Sequence, residues 1–444
     1  MFSNYFKLAL KVLGRRKFFT FVSLFGISFT LMVLMLLTSF LDAQLGANKP
    51  LTKKDRMVFY DRGVKKKMVL DTIWEIDSTL LDGRMVYDST MQTEERQSSY
   101  SSSSVGWYLL NEYLRDLDNV ENYSFYSAGH TFDFFLNSKK MNLSGNHTDA
   151  NFWQVYDYEF VEGRPFLKQQ VDNQAQVAII NIKTAEAFFG QSTGVVGKTI
   201  NLEGKNYEVL GVVKRPITAI SALNSDVFLP ITHMNPRRFE GQDFLGPFES
   251  VFLAYEANQK EDIIAELERI GDDMPMPKPE EYNVLIITGK TFEQGYATEI
   301  IGYDEEPKKA KRLMILILSG LLALFILIPT LNLINLNISR ILERSDEIGV
   351  RKAFGATAKH ILTQFVFENV ILTLIGGAIG LVFALIALRI FNSSKALGDV
   401  VLHFDTTVFL YSLLICLIFG VLSGIIPAFR MSRMNIISAL KNAK

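Results

Sequence analysis

The chain has 444 residues, 48% of them hydrophobic, with 46 basic and 47 acidic side chains. A net charge of −1 without a basic, aromatic-interleaved stripe excludes nucleic acid as the expected partner. One cysteine, Cys416, excludes an intramolecular disulfide, so any soluble part is held by a packed core.

Four long apolar stretches bracket about 270 mostly polar residues, Asp42 to Arg312. The first runs from Phe18 to Leu41 without a charge, and about 20 apolar residues suffice to cross a ~30 Å hydrocarbon core as a helix. Its length exceeds an ordinary signal-peptide core and no small-residue cleavage site follows, so the expectation is a retained span. The others run from about Leu313 to Ile338, Ile361 to Phe391 and Thr407 to Ala428. Met1–Lys17, Arg340–His360 and Arg430–Lys444 together carry 14 basic and 3 acidic residues, leaving 32 basic and 44 acidic elsewhere. The positive-inside rule then puts these three segments, and both termini, in the cytoplasm.

In the outer region, Trp107, Leu109, Leu110, Tyr113, Leu114 and Leu117 follow a helical pattern leading into a strand at Tyr123–Tyr126. Arg96 to Gly106 is serine-rich and is expected to be a mobile loop. Between about His130 and Gly246 the expected strands are short and bounded by glycine: Gln176–Asn181, Lys198–Leu202, Tyr207–Val213 and Val227–Leu229. A strand at Ser250–Tyr255, a helix at Lys260–Ile270 and a strand at Tyr282–Thr288 follow, so one β-rich subdomain is expected to be inserted into an α/β one.

Catalytic look-alikes fail on spacing. Gly197-Lys198-Thr199 lacks the glycine a phosphate loop needs five positions earlier, where Ser192 stands, and a turn explains Gly197. The histidines (His130, His147, His233, His360, His403) show no metal-ligand spacing, so no metal or cofactor is expected. Asp133, Asp157, Glu159 and Glu162 are read as solvated acids.

In the spans, Gly376 and Gly380 of the third and Gly420 and Gly424 of the fourth form Gly-x-x-x-Gly pairs. These allow close helix approach, expected between these two helices or against a second subunit. Glu368 is the lone acid deep in the third span, expected to make a polar interfacial contact, and no charged file marks a solute path. Between the second and third spans, about 345–355, acids begin and Arg351 and Lys352 end a short amphipathic helix closed by Gly355. Ile348, Val350 and Phe354 are its apolar residues, free to pack on a partner, and Thr357 is placed to cap the next helix.

The run Glu347-Ile348-Gly349-Val350-Arg351-Lys352-Ala353-Phe354-Gly355-Ala356, followed by Gln364-Phe365, Glu368, Gly376-Gly377 and Gly380, resembles the signature of MacB/FtsX-type ABC transporter permeases. Gly424 to Arg430, running on to Leu440, is similar to the C-terminal pattern of that family. So are the outer segments Glu162–Phe166, Val177–Asn181, Phe188–Gly190, Val196–Ile200 and Val209–Val213 to its periplasmic domain. Lys54 to Gly106 shows no family pattern.

The resemblance implies an α-helical membrane protein with four transmembrane helices (1+3) and a large α/β + β extracytoplasmic domain of two subdomains. Residues 1–41 hold an amphipathic entry and the first span. Residues 42–312 form a periplasmic MacB-like domain with the inserted part at about 130–246, and 313–444 an FtsX-like permease domain. Localisation is the bacterial inner membrane. The implied function is mechanotransmission: an ABC ATPase, expected on a separate chain because no Walker A sequence is present, moves the outer domain to export or extract a peptide, antibiotic or lipoprotein. Glu347, Arg351, Lys352 and Phe354 are the implied coupling contacts, with a second permease copy or paralogue, membrane lipid and a periplasmic or outer-membrane protein as further partners. Two alternatives stay open: an FtsX-like regulator of a cell-wall hydrolase, and a membrane-anchored adhesin or sensor.

Overall fold

The computed structural model describes residues 14, 17–81, 84–136, 139–216, 218, 220–302, 306–343, 350, 354–394 and 401–432. They fall into two compact units, Met1–Gly46 with Arg312–Lys444, and Ala47–Lys311. The first opens with helix α1 (Lys17–Leu45). Three of its hydroxyls return to their own helix, Ser23 to Phe19 O at 2.9 Å, Thr30 to Gly26 O at 2.7 Å and Thr38 to Leu34 O at 2.7 Å, while Ser39 donates to His403 O at 2.8 Å. No polar group is then left open to lipid at these positions.

The outer unit begins with β1 (Met57–Tyr60), β2 (Gly63–Leu81) and β3 (Arg84–Ser103). The chain continues through α2 (Trp107–Glu112), β4 (Val120–Ser127), β5 (His130–Leu136), β6 (Lys139–Thr148), α3 (Phe152–Val155), β7 (Phe160–Gly163) and α4 (Lys168–Asp172). Next come β8 (Val177–Asn181), α5 (Ile182–Phe189), β9 (Thr199–Leu202), β10 (Lys205–Val213) and β11 (Val227–Pro230). The unit closes with β12 (Phe248–Ala254), α6 (Lys260–Asp273), β13 (Val284–Ile287), β14 (Lys290–Thr291) and α7 (Phe292–Ile301). Asn181 ends β8 and caps α5 by accepting from Thr184 N at 2.8 Å, and Gly190 closes that helix in the left-handed region at φ 71°. The strands expected from glycine-bounded runs coincide with β8 to β11.

An 11-stranded sheet runs in the order β14-β1-β12-β4-β6-β11-β8-β10-β7, with β5 on β6 and β9 on β10. Strands from either side of residues 130–246 meet the strands within that stretch at a single pair, Tyr126↔Thr148 of β4 and β6. Ala178, Ile180, Val209, Val212, Val227 and Leu229 fill the core on one side. An aromatic core lies under β11, where Phe228 touches Phe152, Trp153 and Tyr158 with ring centroids 5.8, 5.4 and 5.5 Å away. On the β5–β6 hairpin, Phe132 lies across Gly145 so closely that an added Cβ would sit 1.9 Å from its ring.

The serine-rich segment is a correction to the sequence reading. Arg96 to Ser103 are not a loop but the end of strand β3, which pairs with β2 from Gly63↔Ser103 to Leu81↔Arg84, and β13 joins β2 in a second, 3-stranded sheet. Serine disfavours a strand by its own propensity, but cross-strand pairing along a long hairpin overrides so weak a preference. Residues 70–76 and 89–100 are exposed, so the ribbon stands out from the body of the domain.

The membrane unit resumes with α8 (Pro307–Glu343), α9 (Ala358–Ser394) and α10 (Thr406–Ser432). Among the described residues, two helices are long and apolar enough to cross a membrane, Lys17–Leu45 and Leu362–Ser394; Thr406–Leu422 is a shorter apolar helix. Ile27 and Leu31 of α1 pack on Ile371 and Leu372 of α9, with Leu413 and Cys416 of α10 against them. The α9–α10 connection closes through Asn392, whose amide donates to Leu402 O at 3.0 Å and whose carbonyl accepts from Leu402 N at 2.9 Å. Asp405 caps α10 by accepting from Thr407 N at 2.7 Å and Val408 N at 3.1 Å.

Phe228 is fully buried, and cutting it back to alanine is expected to cost the outer domain roughly 3–5 kcal/mol. Urea unfolding followed by Trp153 fluorescence in Phe228→Ala checks this.

Candidate functional site

Of the sequence-predicted coupling residues, Val350 and Phe354 are described; Glu347, Ile348, Arg351 and Lys352 lie outside the described residues. Val350 is helical and 49% exposed, and Phe354 is 88% exposed. Phe354 N donates to Val350 O at 3.1 Å, one helical turn, and Gly355 follows in the left-handed region at φ 91°. Thr357 Oγ1 then accepts from His360 N at 3.4 Å and caps α9. A phenylalanine presented almost bare at the mouth of a long helix offers an apolar contact to whatever packs there.

The glycines sit where helices approach one another, though not in the arrangement expected. A Cβ on Gly376 would lie 2.8 Å from Ile27, and one on Gly380 would meet Leu31 at 3.0 Å and the Ser28 backbone at 3.1 Å. The α9 pair therefore admits α1, while Gly377 faces Leu413 of α10 and Gly420 of α10 faces Thr373 of α9. Gly424 is helical within α10. Glu368 is 9% exposed and accepts from Gln364 Nε2, one turn earlier, at 2.9 Å.

In the outer unit, a cleft of about 530 Å³ opens between α2 and β4 on one side and α4 and residues 231–240 on the other. Trp107, Tyr123, Phe125 and Phe239 form its aromatic wall, with Trp107 and Phe239 edge-to-face at 4.9 Å and Tyr123 tilted against Phe125 at 4.8 Å. Charges of both signs line the cleft: Arg115, which donates to Tyr123 OH at 2.9 Å, Lys168, paired with Asp172 at 2.7 Å, and Glu240. Asp149 at the base accepts from Ser124 Oγ at 2.7 Å, Phe125 N at 2.8 Å and Phe152 N at 2.8 Å. Burial pushes this carboxyl up to about 6 although these donors favour the charged form. The cleft can hold an apolar or aromatic body with a polar edge. Sequence reasoning missed it because its wall draws on residues from 107 to 240, and no local motif announces it.

A second missed cluster joins four charged residues. Lys290 Nζ lies 2.7 Å from Asp61, and Glu249 and Glu299 sit within their field. Burial, reinforced by the negative charge of Asp61, pushes Glu249 up to about 8, and Lys290 offsets only part of this.

The acids weighed from sequence are separately engaged: Glu159 pairs with Lys214, Asp157 lies 3.9 Å from Lys49, and Glu162 accepts from Val195 N at 3.2 Å. Asp133 lies on β5. Gly197 is a turn glycine at φ 82°. Among the described residues no cluster of three or more histidine, cysteine or acidic residues is placed to hold a metal ion.

Comparison with known proteins gives this arrangement its class. Residues 20–270 match the MacB-like periplasmic core domain, and residues 319–436 match the FtsX-like permease C-terminal family. The chain belongs to the MacB-like periplasmic core domain family, joined to an FtsX-like permease region, and is an ABC transporter permease of MacB/FtsX type. It is 27% identical over 315 residues to the macrolide export ATP-binding/permease protein MacB of Shewanella oneidensis, covering 69% of this chain and 44% of that protein. It is 26% identical over 300 residues to the pyoverdine export ATP-binding/permease protein PvdT of Pseudomonas syringae, covering 67% and 42%. The chain thus spans less than half the length of these relatives. Among solved structures, the periplasmic region of MacB from Actinobacillus actinomycetemcomitans aligns with a TM-score of 0.29 at 13% identity, covering 40% of this chain and 75% of that one. The extracellular domain of the ABC-type transporter YknZ from Gram-positive bacteria aligns at 0.31 and 20%, covering 39% and 84%.

Two outcomes are expected. Gly380→Leu forces α1 off α9, and overpacking of this kind typically costs about 1–3 kcal/mol, seen as a lower melting temperature of the detergent-solubilised protein. For Glu249, the folded value of about 8 lies above the ordinary 4.5, so the folded domain holds this proton more tightly than the unfolded chain. That stability is complete below about pH 4.5 and is lost as pH rises through about 8. Melting temperature should therefore fall between pH 5 and pH 8.5, and the fall should be shallower in Glu249→Gln.

Proposed function

We propose that the chain is the membrane-spanning permease of an ABC exporter that turns ATP hydrolysis in an associated ATP-binding subunit into movement of its outer domain. In this reading α1, α8, α9 and α10 all cross a bacterial inner membrane. Residues 345–355 and both termini face the cytoplasm, residues 42–312 face the periplasm, and a second permease copy or paralogue completes the pair. Phe354 carries the proposal: an aromatic side chain 88% exposed at the start of α9 is a ready contact for the ATP-binding subunit. Because Gly376 and Gly380 bring α9 against α1, a push at Phe354 displaces two helices together. Glu347, Arg351 and Lys352 are the proposed charged partners in that contact.

The relatives named for macrolide and pyoverdine export support an exported cargo. The aromatic cleft supports one with an apolar or aromatic part, since pockets of about 300–1,000 Å³ enclose most of a drug-sized ligand.

The test is a detergent pull-down of the full chain with quantified ATP-binding subunit, in wild type, Phe354→Asp and Arg351→Glu. A buried aromatic anchor contributes about 2 kcal/mol or more, so Phe354→Asp should weaken recovery by at least about tenfold. An unchanged melting temperature is expected, because Phe354 packs on little of its own chain. Equal recovery from wild type and both variants would remove these residues from the coupling contact.

A further inference from the structure

The ribbon of β2 and β3 has two unlike faces. Asn283 closes the third strand beside it, accepting from Met68 N at 2.7 Å and donating to Met68 O at 2.8 Å. From Val69↔Arg96 to Leu81↔Arg84 only two strands remain, and at ~3.3 Å per residue they extend about 40 Å. Side chains alternate, so Asp71, Ile73 and Glu75 share one face with Arg96, Glu94, Gln92 and Thr90. That face is tied by its own polar contacts, Arg96 with Asp71 at 3.1 Å and Gln92 donating to Glu75 at 2.7 Å.

The other face carries Leu70, Thr72, Trp74 and Ile76 opposite Glu95, Thr93, Met91 and Ser89. Leu70 is 71% exposed, Trp74 59%, Ile76 66% and Met91 59%. A two-stranded ribbon is marginal in water by itself and gains independent stability when its apolar face is covered.

Area and charge narrow the choice of cover. Between Leu70 and Ile76 the ribbon is about 20 Å long and about 10 Å wide and offers some 200 Å² on this face, about a quarter of the ~800 Å² each partner contributes to a stable free-standing complex. A protein arriving from solution is poorly held by such a strip. One already confined beside it binds at a high effective concentration and needs no more area. A second copy of this chain is confined in that way by the same helices and presents an identical strip. Between Leu70 and Ile76 the strip bears one charge, Glu95 at its inner end, and the acids Asp71, Glu75 and Glu94 point away from it. Self-contact therefore brings no acidic face against another. A two-fold axis along the ribbon lays β2 of one copy over β3 of the other and sets Trp74 against Met91 of the second copy, a favourable sulfur–aromatic pair.

We propose that the face bearing Leu70, Trp74, Ile76 and Met91 packs on the same face of a second copy, so that the outer domains of a pair are clasped through their ribbons. The clasp needs no ATP-binding subunit, so it stands or falls separately from the coupling contact at Phe354.

The test uses the full chain in membranes with Cys416→Ala and single cysteines on the two faces: Thr72→Cys and Ile76→Cys on the apolar face, Ile73→Cys and Glu75→Cys on the acidic one. All four positions are exposed, so folding is not at stake. A short bismaleimide is added and the products are separated by size. Crosslinked dimer from positions 72 and 76 but not from 73 and 75, lost when Trp74→Asp is added, is the expected result. Equal yields from both faces would reduce the contact to random collision. Absence of dimer at 72 and 76 while a fluorescent maleimide labels them freely would leave the strip uncovered. An adduct with a different protein would replace the second copy by that partner. Each of these last three results overturns the proposal.

Discussion

One antiparallel pair, Tyr126 with Thr148, carries the large sheet from one half of the outer domain to the other, and the side chain that secures it is Asp149. Directly after β6, its carboxylate reaches back to Ser124 and Phe125 on β4 and forward to Phe152. Three segments are thereby fixed at one buried point. Tyr126 and Tyr156 add a hydroxyl contact at 3.3 Å beneath it. Further hydrogen bonds, Gly106 N to Phe244 O at 2.8 Å and Asp157 N to Pro50 O at 2.9 Å, tie the two halves beside this joint. The cleft lies along that joint, with walls from both halves, so a ligand bound there touches both at once.

The membrane unit solves a different problem. With lipid as solvent, burial of apolar surface gives little drive for helices to associate, and close fit has to supply it. Gly376 and Gly380 remove side chains where Ile27, Ser28 and Leu31 need room, and Ile371, Leu372, Leu413 and Cys416 close around the contact. Glu368 is tolerated because Gln364 meets it within the same helix. The outcome is a three-helix packing of α1, α9 and α10 in which the helix from Lys17 is held by one that begins more than three hundred residues later.

Local signals were read well and distributed ones were not. Strands β8 to β11 are short apolar runs punctuated by glycine or asparagine, and the helix from Lys260 has Ile263, Ile264 and Leu267 on one buried face. Trp107–Glu112 is shorter than its apolar pattern implied, because Tyr113 already leaves helical geometry. The serine-rich run at 98–104 masks the end of β3, although its partner strand β2 alternates at Leu70, Thr72, Trp74 and Ile76. The cleft and the Asp61–Lys290–Glu249–Glu299 cluster arise only when strands distant in sequence become neighbours. The segment at about 345–355 was legible as a motif, and the structure adds that Phe354 within it is exposed.

The way the outer domain begins and ends has a mechanical consequence. Strand β1 follows helix α1, and β14 leads through α7 towards α8. The two strands are antiparallel neighbours, joined at Val58↔Thr291 and Phe59↔Lys290. The connections to α1 and α8 therefore leave from the same end of one strand pair. A load that draws both helices the same way passes into the sheet without straining this seam. A load that separates them peels the seam bond by bond, with the Lys290–Asp61 ion pair, 2.7 Å long, beside it. The domain is thus built stiff against being carried and weak against being spread.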